Sequence, residues 1–330
     1  MIDFSVPMHR REFVALAILT AAVRPPDLHA EARQYRIALL TLDSSERADL
    51  IKGPLRDLGY IEGKNLTFIH RSADGEPGRL ATIAEELVRD GPDVLVAGWG
   101  TLAPKALKAA TDRIPIVFAT VGDPIGAGLV QSLARPGGNL TGMSGQSTEF
   151  KSKQLEFLLG CVPGQRIVGV LLNPDTPYSA LSLKQLETAA EQRGVQLELL
   201  QVRRADQFTP DQMDRLVLRG ATSLMIVEDP LAATLREAVV EQARRLRLPT
   251  MTGLADYARS GGLLAYGFSQ TANYRRAAEL IDKILKGARP ADLPVEQPTR
   301  FELIVNLKTA KAFGIELPSL IMAAADEVLE

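Results

Sequence analysis

Short apolar runs alternate along this chain with segments in which apolar side chains recur every three or four positions. The runs end in glycine, proline, serine or acidic residues, which is typical of strands covered on both faces of a parallel sheet. The intervening segments are typical of helices that cover such a sheet. The predicted strands are 35–42, 66–70, 93–97, 114–119, 166–172, 195–202, 223–227, 249–251, 263–266 and 301–305. The predicted helices are 46–58, 79–89, 101–110, 129–133, 151–159, 180–193, 210–218, 231–246, 273–286 and 307–313, with a short tail helix.

The segment 114–142 divides this pattern into two α/β halves. An apolar strand is followed by Thr120, Gly122 and Asp123, and the turn-rich segment 135–142 then leads into the second half. Ligands of open α/β sheets bind beyond the carboxyl ends of the strands. The pattern therefore predicts two doubly wound parallel-sheet lobes with a ligand cleft between them.

Composition excludes several classes of function. The chain has 330 residues and a net charge of −2, without the basic excess that nucleic-acid binding needs. Cys161 is the single cysteine, so the chain has neither a disulfide framework nor a cysteine-rich metal site. Apart from the leader described next, His70 is the only histidine, and it falls at the edge of a predicted strand, which disfavours a hydrolytic triad. P-loop, HExxH and nucleophile-elbow motifs are absent from the sequence.

Residues 1–32 are typical of an export signal. Arg10 and Arg11 precede an apolar run of 11 residues at 13–23, and small-residue cleavage sites follow. The run is shorter than the roughly 20 residues that a membrane-spanning helix needs. The paired arginines also match a twin-arginine signal. The sequence therefore predicts an exported, periplasmic protein that is not embedded in the membrane.

The turn 98–103 follows the third predicted strand and matches the dinucleotide pattern G-x-G-x-x-A. The match is weak, because it lies on the third strand–helix unit rather than the first and no acidic residue ends the next strand. Because of this motif, a nucleotide-dependent two-domain enzyme is the rival prediction. Gly100 and Thr101 equally suit a carboxylate at a helix N-terminus, or Thr101 acts only as an N-cap. Trp99 is either a lid over the ligand or part of the packing between lobes.

An acid followed by proline occurs at one strand end in each half, at Asp123 and Asp229. Each is explained by N-capping, and each also offers an acceptor to a ligand's ammonium or hydroxyl group. Glu228 competes with Asp229 for the second role. The other candidate ligand-binding residues at strand ends or in loops are Asp43, Asn173, Tyr178 and Tyr266, with Tyr257 as a further aromatic wall.

Several segments together are specific enough to suggest a family. They are LGYIEG (58–63), GT (100–101), IPIVFA (114–119), VGDP (121–124), LARPGGNLTG (133–142), DKILKG (282–287), LPVEQP (293–298) and NLKTAK (306–311). Through them the chain resembles, over nearly all of 36–330, the tryptophan/tyrosine-binding-like family of ABC-transporter substrate-binding proteins. It departs from the family pattern at Trp99 and at Gly53–Pro54.

The resemblance implies a type I periplasmic binding fold, with lobe I formed by 33–143 and about 268–296, and lobe II by 144–267 and about 297–330. It implies a monomer that binds an amino acid or related aromatic acid by lobe closure and delivers it to an ABC permease, without covalent chemistry, cofactor or metal. A sugar or nucleoside binder on the same fold is the further alternative. By resemblance, the residues that hold the ligand carboxylate are Gly100, Thr101, Thr120 and Gly122, and those that hold its ammonium are Asp123 with Glu228 or Asp229.

Overall fold

A computed structural model describes residues 33–42, 46–145 and 150–330 of the chain. The export signal expected at 1–32 and the candidate residue Asp43 lie outside the described residues. Two sheets organise the body of the protein from Tyr35 to Glu330.

The first sheet contains five parallel strands in the order β2-β1-β3-β4-β5. Its strands are β1 (Tyr35–Thr41), β2 (Leu66–Ser72), β3 (Val94–Trp99), β4 (Ile116–Val121) and β5 (Leu140–Ser144). The helices along this part of the chain are α1 (Glu46–Asp57), α2 (Leu80–Arg89) and α3 (Leu102–Ala110). Alternate side chains of β1 enter opposite cores: Ile37 packs in the cluster with α1, whereas Ala38 packs in the cluster with α2 and α3. The buried, doubly covered strands of the prediction are confirmed.

The second sheet contains seven strands in the order β12-β11-β10-β9-β8-β6-β7. Its strands are β6 (Ile167–Leu172), β7 (Gln196–Gln201), β8 (Leu224–Ile226), β9 (Thr250–Thr252), β10 (Leu264–Phe268), β11 (Phe301–Asn306) and β12 (Glu327–Leu329). All neighbours pair in parallel except β10 and β11, which are antiparallel. The helices are α4 (Phe150–Cys161), α5 (Pro177–Gln192), α6 (Pro210–Leu218), α7 (Pro230–Thr234), α8 (Arg236–Leu246), α9 (Ala255–Arg259), α10 (Gln270–Leu285), α11 (Leu307–Phe313) and α12 (Ser319–Ala324).

The chain passes between the two sheets after β5, after β10 and before β11. α10 leaves the second sheet and packs against α1 and β4 of the first. The return segment pairs Glu296 with Met143 in a parallel bridge. These connections make lobe I, around the first sheet, and lobe II, around the second, with the carboxyl ends of the parallel strands facing each other.

Two expectations about helices are wrong. The segment 129–133 forms bends and irregular backbone instead of a helix. Gly128 takes a left-handed φ of 68°, and Lys108 donates from Nζ to the Gly128 and Leu129 carbonyls at 2.6 and 3.2 Å, so those carbonyls are used outside a helix. The helix expected at 231–246 is broken at Leu235, where α7 ends and α8 begins.

The strand β5 falls in a segment that the sequence analysis assigned to turns. Gly142 explains why a glycine lies within a strand here: a Cβ at this position would come within 2.2 Å of the Phe118 carbonyl oxygen on β4. The glycine thus allows a close approach of two backbones rather than a turn. At α1, the helix continues through Pro54 to Asp57, so the proline leaves the helix close to its expected length.

Candidate functional site

A cavity lies between the lobes, where the ends of β3 and β4 face the ends of β6 and β8. Its volume is about 20 Å³, which is enough for roughly one water molecule. Most of the predicted site residues line it together: Trp99, Gly100, Thr101, Thr120 and Gly122 from lobe I, and Tyr178, Glu228 and Asp229 from lobe II. Thr176, Pro230 and Phe268, which the sequence analysis did not select, complete the wall.

Three predicted residues do not line this cavity. Asp123 is partly exposed and accepts a hydrogen bond from the Gly126 amide at 2.8 Å, which is the local turn role that its Asp-Pro sequence also predicted. Asn173 lies behind the wall and donates from Nδ2 to Asp229 at 3.3 Å. Tyr266 belongs to an aromatic cluster with Phe150, Phe157 and Phe301.

The lobe I wall presents one polar side chain for which no hydrogen bond within the protein is described. Thr101 immediately precedes α3, is buried, and makes no side-chain capping bond. By contrast, the Thr120 hydroxyl donates to the Ala119 carbonyl at 2.5 Å and accepts from Asn273 at 2.9 Å. The Gly100 amide donates to the Thr120 carbonyl at 3.0 Å. Of the groups expected to hold a carboxylate, the Thr101 hydroxyl is therefore the one best placed to accept a new partner.

Glu228 is fully engaged within lobe II. One carboxylate oxygen pairs with Lys151, and the other accepts from Gln154 Nε2 at 2.8 Å and from the Gly253 amide at 2.5 Å. The side chains of Lys151 and Glu228 are 1% and 5% exposed. Burial lowers the pKa of the Lys151 amine, and the Glu228 charge opposes that change. Because Lys151 neutralises it, Glu228 contributes little net charge to the cavity.

Asp229 is the other acid at this wall. It caps α7 by accepting from the Leu231 amide at 2.8 Å, and it also accepts from Asn173. Burial raises the pKa of Asp229 to about 6, and the hydrogen bonds from Leu231, Asn173 and Thr176 oppose the rise. No cation pairs with Asp229 within the part of the chain that the structure describes.

The buried position of Asp229 makes stability depend on pH. Its folded-state pKa lies above the ordinary 3.8, so the folded chain holds this proton more tightly than the unfolded chain, and the stabilisation is lost as pH rises. We expect wild-type stability, relative to Asp229→Asn, to fall by about 2–3 kcal/mol between about pH 4 and pH 7. Urea unfolding at a series of pH values measures this difference. Asp123→Asn is the matched control, because Asp123 accepts a similar turn hydrogen bond at a partly exposed position; parallel pH profiles for wild type and Asp229→Asn would contradict the expectation.

The two lobes touch directly on either side of the cavity. A Cβ built on Gly100 would lie 2.7 Å from Pro230 Cγ, and a Cβ built on Gly122 would lie 2.0 Å from the Tyr178 ring. Trp99, at the end of a lobe I strand, is 8% exposed and packs in the hydrophobic cluster of lobe II. Of the two roles predicted for Trp99, lobe–lobe packing is the one that this placement favours.

Sequence reasoning did not select Lys151, Asn273 or Phe268. Lys151 lies 77 positions from Glu228 and Asn273 lies 153 positions from Thr120, so no local pattern links either pair. Phe268 lines the small cavity and also a wider one of about 650 Å³ that extends along α9 and the start of α10. A signal for Phe268 was available, since it ends a strand beside a lobe crossing.

Neither a membrane helix nor a metal-binding cluster is found in the described ranges. No helix there is both long and apolar enough to cross a bilayer. The same residues contain no group of three or more His, Cys, Asp or Glu side chains placed to hold a metal ion.

Two α/β lobes with three crossings and strand ends that meet at one cleft define the class of two-lobed type I periplasmic binding folds. The family description "ABC transporter substrate binding protein" matches residues 43–329. The chain belongs to this family.

Two relatives whose descriptions name an amino acid match most of the chain. A tyrosine-binding protein of Clostridioides difficile (strain R20291) is 27% identical over 262 residues, covering 79% of this chain and 74% of that protein. The crystal structure of an ABC domain from Streptococcus pneumonia in complex with L-Trp is 26% identical, with a TM-score of 0.83, and covers 90% of this chain and 100% of that one.

A third comparison bears on the lobe arrangement. The ligand-free, open structure of a substrate-binding protein with adhesive properties from Clostridium difficile is 25% identical and covers 89% of this chain and 99% of that one. Its TM-score is 0.65, against 0.83 for the L-Trp complex at nearly equal identity and coverage. The arrangement of the two lobes in this protein is therefore more similar to that in the L-Trp complex than to that in the open relative. This agrees with the direct contacts between the lobes at Gly100 and Gly122.

Proposed function

We propose that this protein is the extracytoplasmic solute-binding component of an ABC importer and that it captures a small carboxylate-bearing ligand by lobe closure. The ligand class is an amino acid or a related aromatic acid. The observation that carries the proposal is that strand-end residues of both lobes form a single interlobe cavity in a chain of this family. The tyrosine- and L-Trp-binding relatives support an amino acid over a sugar.

Each end of the ligand has a partner in this proposal. The carboxylate binds the Thr101 hydroxyl at the N-terminus of α3, where the helix dipole favours negative charge. The ammonium binds Asp229 rather than Glu228, because Lys151 already neutralises Glu228. An ion pair with the ammonium also stabilises the charged form of the Asp229 carboxylate, which burial disfavours.

Transport follows from closure. The units that move are lobe I (33–143 with about 268–296) and lobe II (144–267 with about 297–330). Because both lobes contribute contacts, the ligand stabilises the closed arrangement, and the permease recognises that arrangement. We propose that the protein acts as a monomer in the periplasm after export through the leader at 1–32, without cofactor or metal.

Loss of the Thr101 hydroxyl tests the site. We expect Thr101→Ala to weaken the binding of whichever amino acid stabilises the wild type by about 10- to 100-fold, since one hydrogen bond to a charged group contributes roughly 1.5–3 kcal/mol. Thr101→Ser keeps the hydroxyl and is expected to retain most of the affinity. A thermal-shift screen against amino acids and aromatic acids identifies the ligand, and calorimetry measures the variants. Equal affinity in wild type and Thr101→Ala would remove this residue from the site.

The same screen decides between binding protein and nucleotide enzyme. Nicotinamide cofactors are screened alongside the amino acids. An increase in melting temperature with a cofactor, but with no amino acid, would favour the enzyme. The structure is less suited to a nucleotide at the 98–103 turn, because Pro230 of lobe II lies against Gly100 there.

A further inference from the structure

Tyr178 is fixed by its position at the start of a helix. It is the second residue of α5, and the Thr176 side chain caps that helix by accepting from the Ser179 amide. From there the ring reaches across the cleft to the backbone of Gly122. The three ring atoms nearest to a Cβ built at Gly122 lie 2.0, 2.3 and 2.7 Å away, so only a glycine permits this contact.

The surroundings of the ring suit a phenol. The Tyr178 hydroxyl donates to Glu228 Oε2 at 3.2 Å, and Lys151 Nζ lies 5.8 Å from the ring centroid. Burial, together with the Glu228 charge, raises the pKa of Tyr178 well above its usual range, so the hydroxyl remains a donor. A backbone surface on one face, a carboxylate at the hydroxyl and a cation near the ring are together a site for an aromatic side chain.

The remaining space excludes a second ring. The cavity next to Tyr178 measures about 20 Å³, which is room for roughly one water molecule. An amino acid held between Thr101 and Asp229 therefore cannot place a ring against Gly122 while Tyr178 contacts that residue. The Tyr178–Gly122 contact and a ligand ring at the same position are mutually exclusive.

We propose that Tyr178 occupies the aromatic subsite of the cleft and competes with the ring of the ligand for it. The proposal rests on the proposed function and narrows its ligand class to aromatic amino acids. The ring of the ligand takes the place of the Tyr178 ring against Gly122, and a ligand hydroxyl takes its hydrogen bond to Glu228. Tyr178 thereby sets the affinity of the cleft, because each binding event must first displace an internal occupant.

Removing the Tyr178 ring distinguishes two roles for it: a competitor of the ligand ring, or a fixed wall of the binding site. We expect Tyr178→Ala to bind L-tyrosine about fivefold or more tightly than wild type, because the apparent dissociation constant falls as the competent fraction rises. Tyr178→Phe keeps the ring without the Glu228 bond and is expected to fall between the two. Calorimetry with L-tyrosine, L-phenylalanine and L-alanine measures the series, and unfolding curves check that each variant is folded.

Each outcome decides something. Weaker binding of L-tyrosine to Tyr178→Ala, with Tyr178→Phe close to wild type, would make the ring a permanent wall and overturn the proposal. Binding of L-alanine but of no aromatic amino acid to wild type and variant would overturn it while leaving the proposed function intact. If no amino acid or aromatic acid of the thermal-shift screen binds to the wild type or to any variant, both proposals are overturned.

A second measurement uses Trp99, which is the only tryptophan of the chain and lies buried between the lobes. Loss of the Tyr178–Gly122 contact should let the lobes part in Tyr178→Ala, and tryptophan emission should shift to longer wavelength. L-Tyrosine should reverse the shift under selective excitation of tryptophan. An unchanged emission in folded Tyr178→Ala would contradict the role of the ring in holding the lobes together.

Discussion

Lys151→Met is expected to be the most destabilising single substitution considered for this protein. It leaves the Glu228 carboxylate buried without its cation, and breaking a buried pair in this way typically costs about 3–5 kcal/mol. Glu228 would keep its bonds from Gln154 and the Gly253 amide, but these donors are neutral. Urea unfolding, monitored by circular dichroism, measures the loss.

Two matched variants identify the cause. Lys153→Met removes the same type of side chain two positions later in α4, where the pair with Glu156 is exposed, and should cost less than about 1 kcal/mol. Lys151→Met combined with Glu228→Gln removes both charges and should recover most of the loss. If the double variant is as unstable as Lys151→Met alone, the shape of Lys151 rather than its charge stabilises lobe II.

Gly122→Ala should open the cleft and abolish most ligand binding. Its methyl group would lie 2.0 Å from the Tyr178 ring, so the ring must move or the lobes must part. The ligand ring that we propose replaces Tyr178 at this position would meet the same methyl group. Overpacking of this kind costs about 1–3 kcal/mol, which corresponds to roughly a 10- to 100-fold loss of affinity when the clash exists only in the closed arrangement. Small-angle scattering should record an increased radius of gyration, and calorimetry should record the weaker binding.

Gly138→Ala is the control for that substitution. Gly138 also lies in lobe I, but a Cβ there meets nothing within 4 Å and its backbone is not left-handed. This variant should therefore scatter and bind as wild type does. Wild-type affinity and an unchanged radius in Gly122→Ala would mean that the lobes do not meet at Tyr178 in solution.

The interlobe contacts alter one expectation of the sequence analysis. Strand ends that bind a small ligand need space between them. Here Gly122, after the end of β4, contacts Tyr178 at the start of α5, and the cavity is about 20 Å³. Ligand entry therefore requires a change at this contact. We therefore expect the two lobe-contact glycines, Gly100 and Gly122, to affect ligand binding through the lobe contact, even though the Gly100 amide is already bonded to Thr120.

Local sequence patterns were sufficient to predict most strands and helices. They failed where the structure of a segment depends on its packing against another part of the chain. β1, β3 and β4 were recognisable because each is an apolar run covered on both faces. β5 was not, since its glycine signals a turn locally and a close backbone approach only once β4 lies beside it. The break at Leu235 likewise has no proline or glycine to mark it.

The sequence by itself determined the alternation of strands and helices, the two lobes, and the placement of Thr101, Thr120, Tyr178, Glu228 and Asp229 at one edge, because hydrophobic periodicity and turn chemistry are local. Only the tertiary structure decided which of these groups remain available. Lys151 neutralises Glu228 across 77 positions, Asn273 binds Thr120 across 153, and Trp99 packs in the opposite lobe. Such partners are set by how the lobes and helices pack, and residues so far apart leave no periodic signal along the chain.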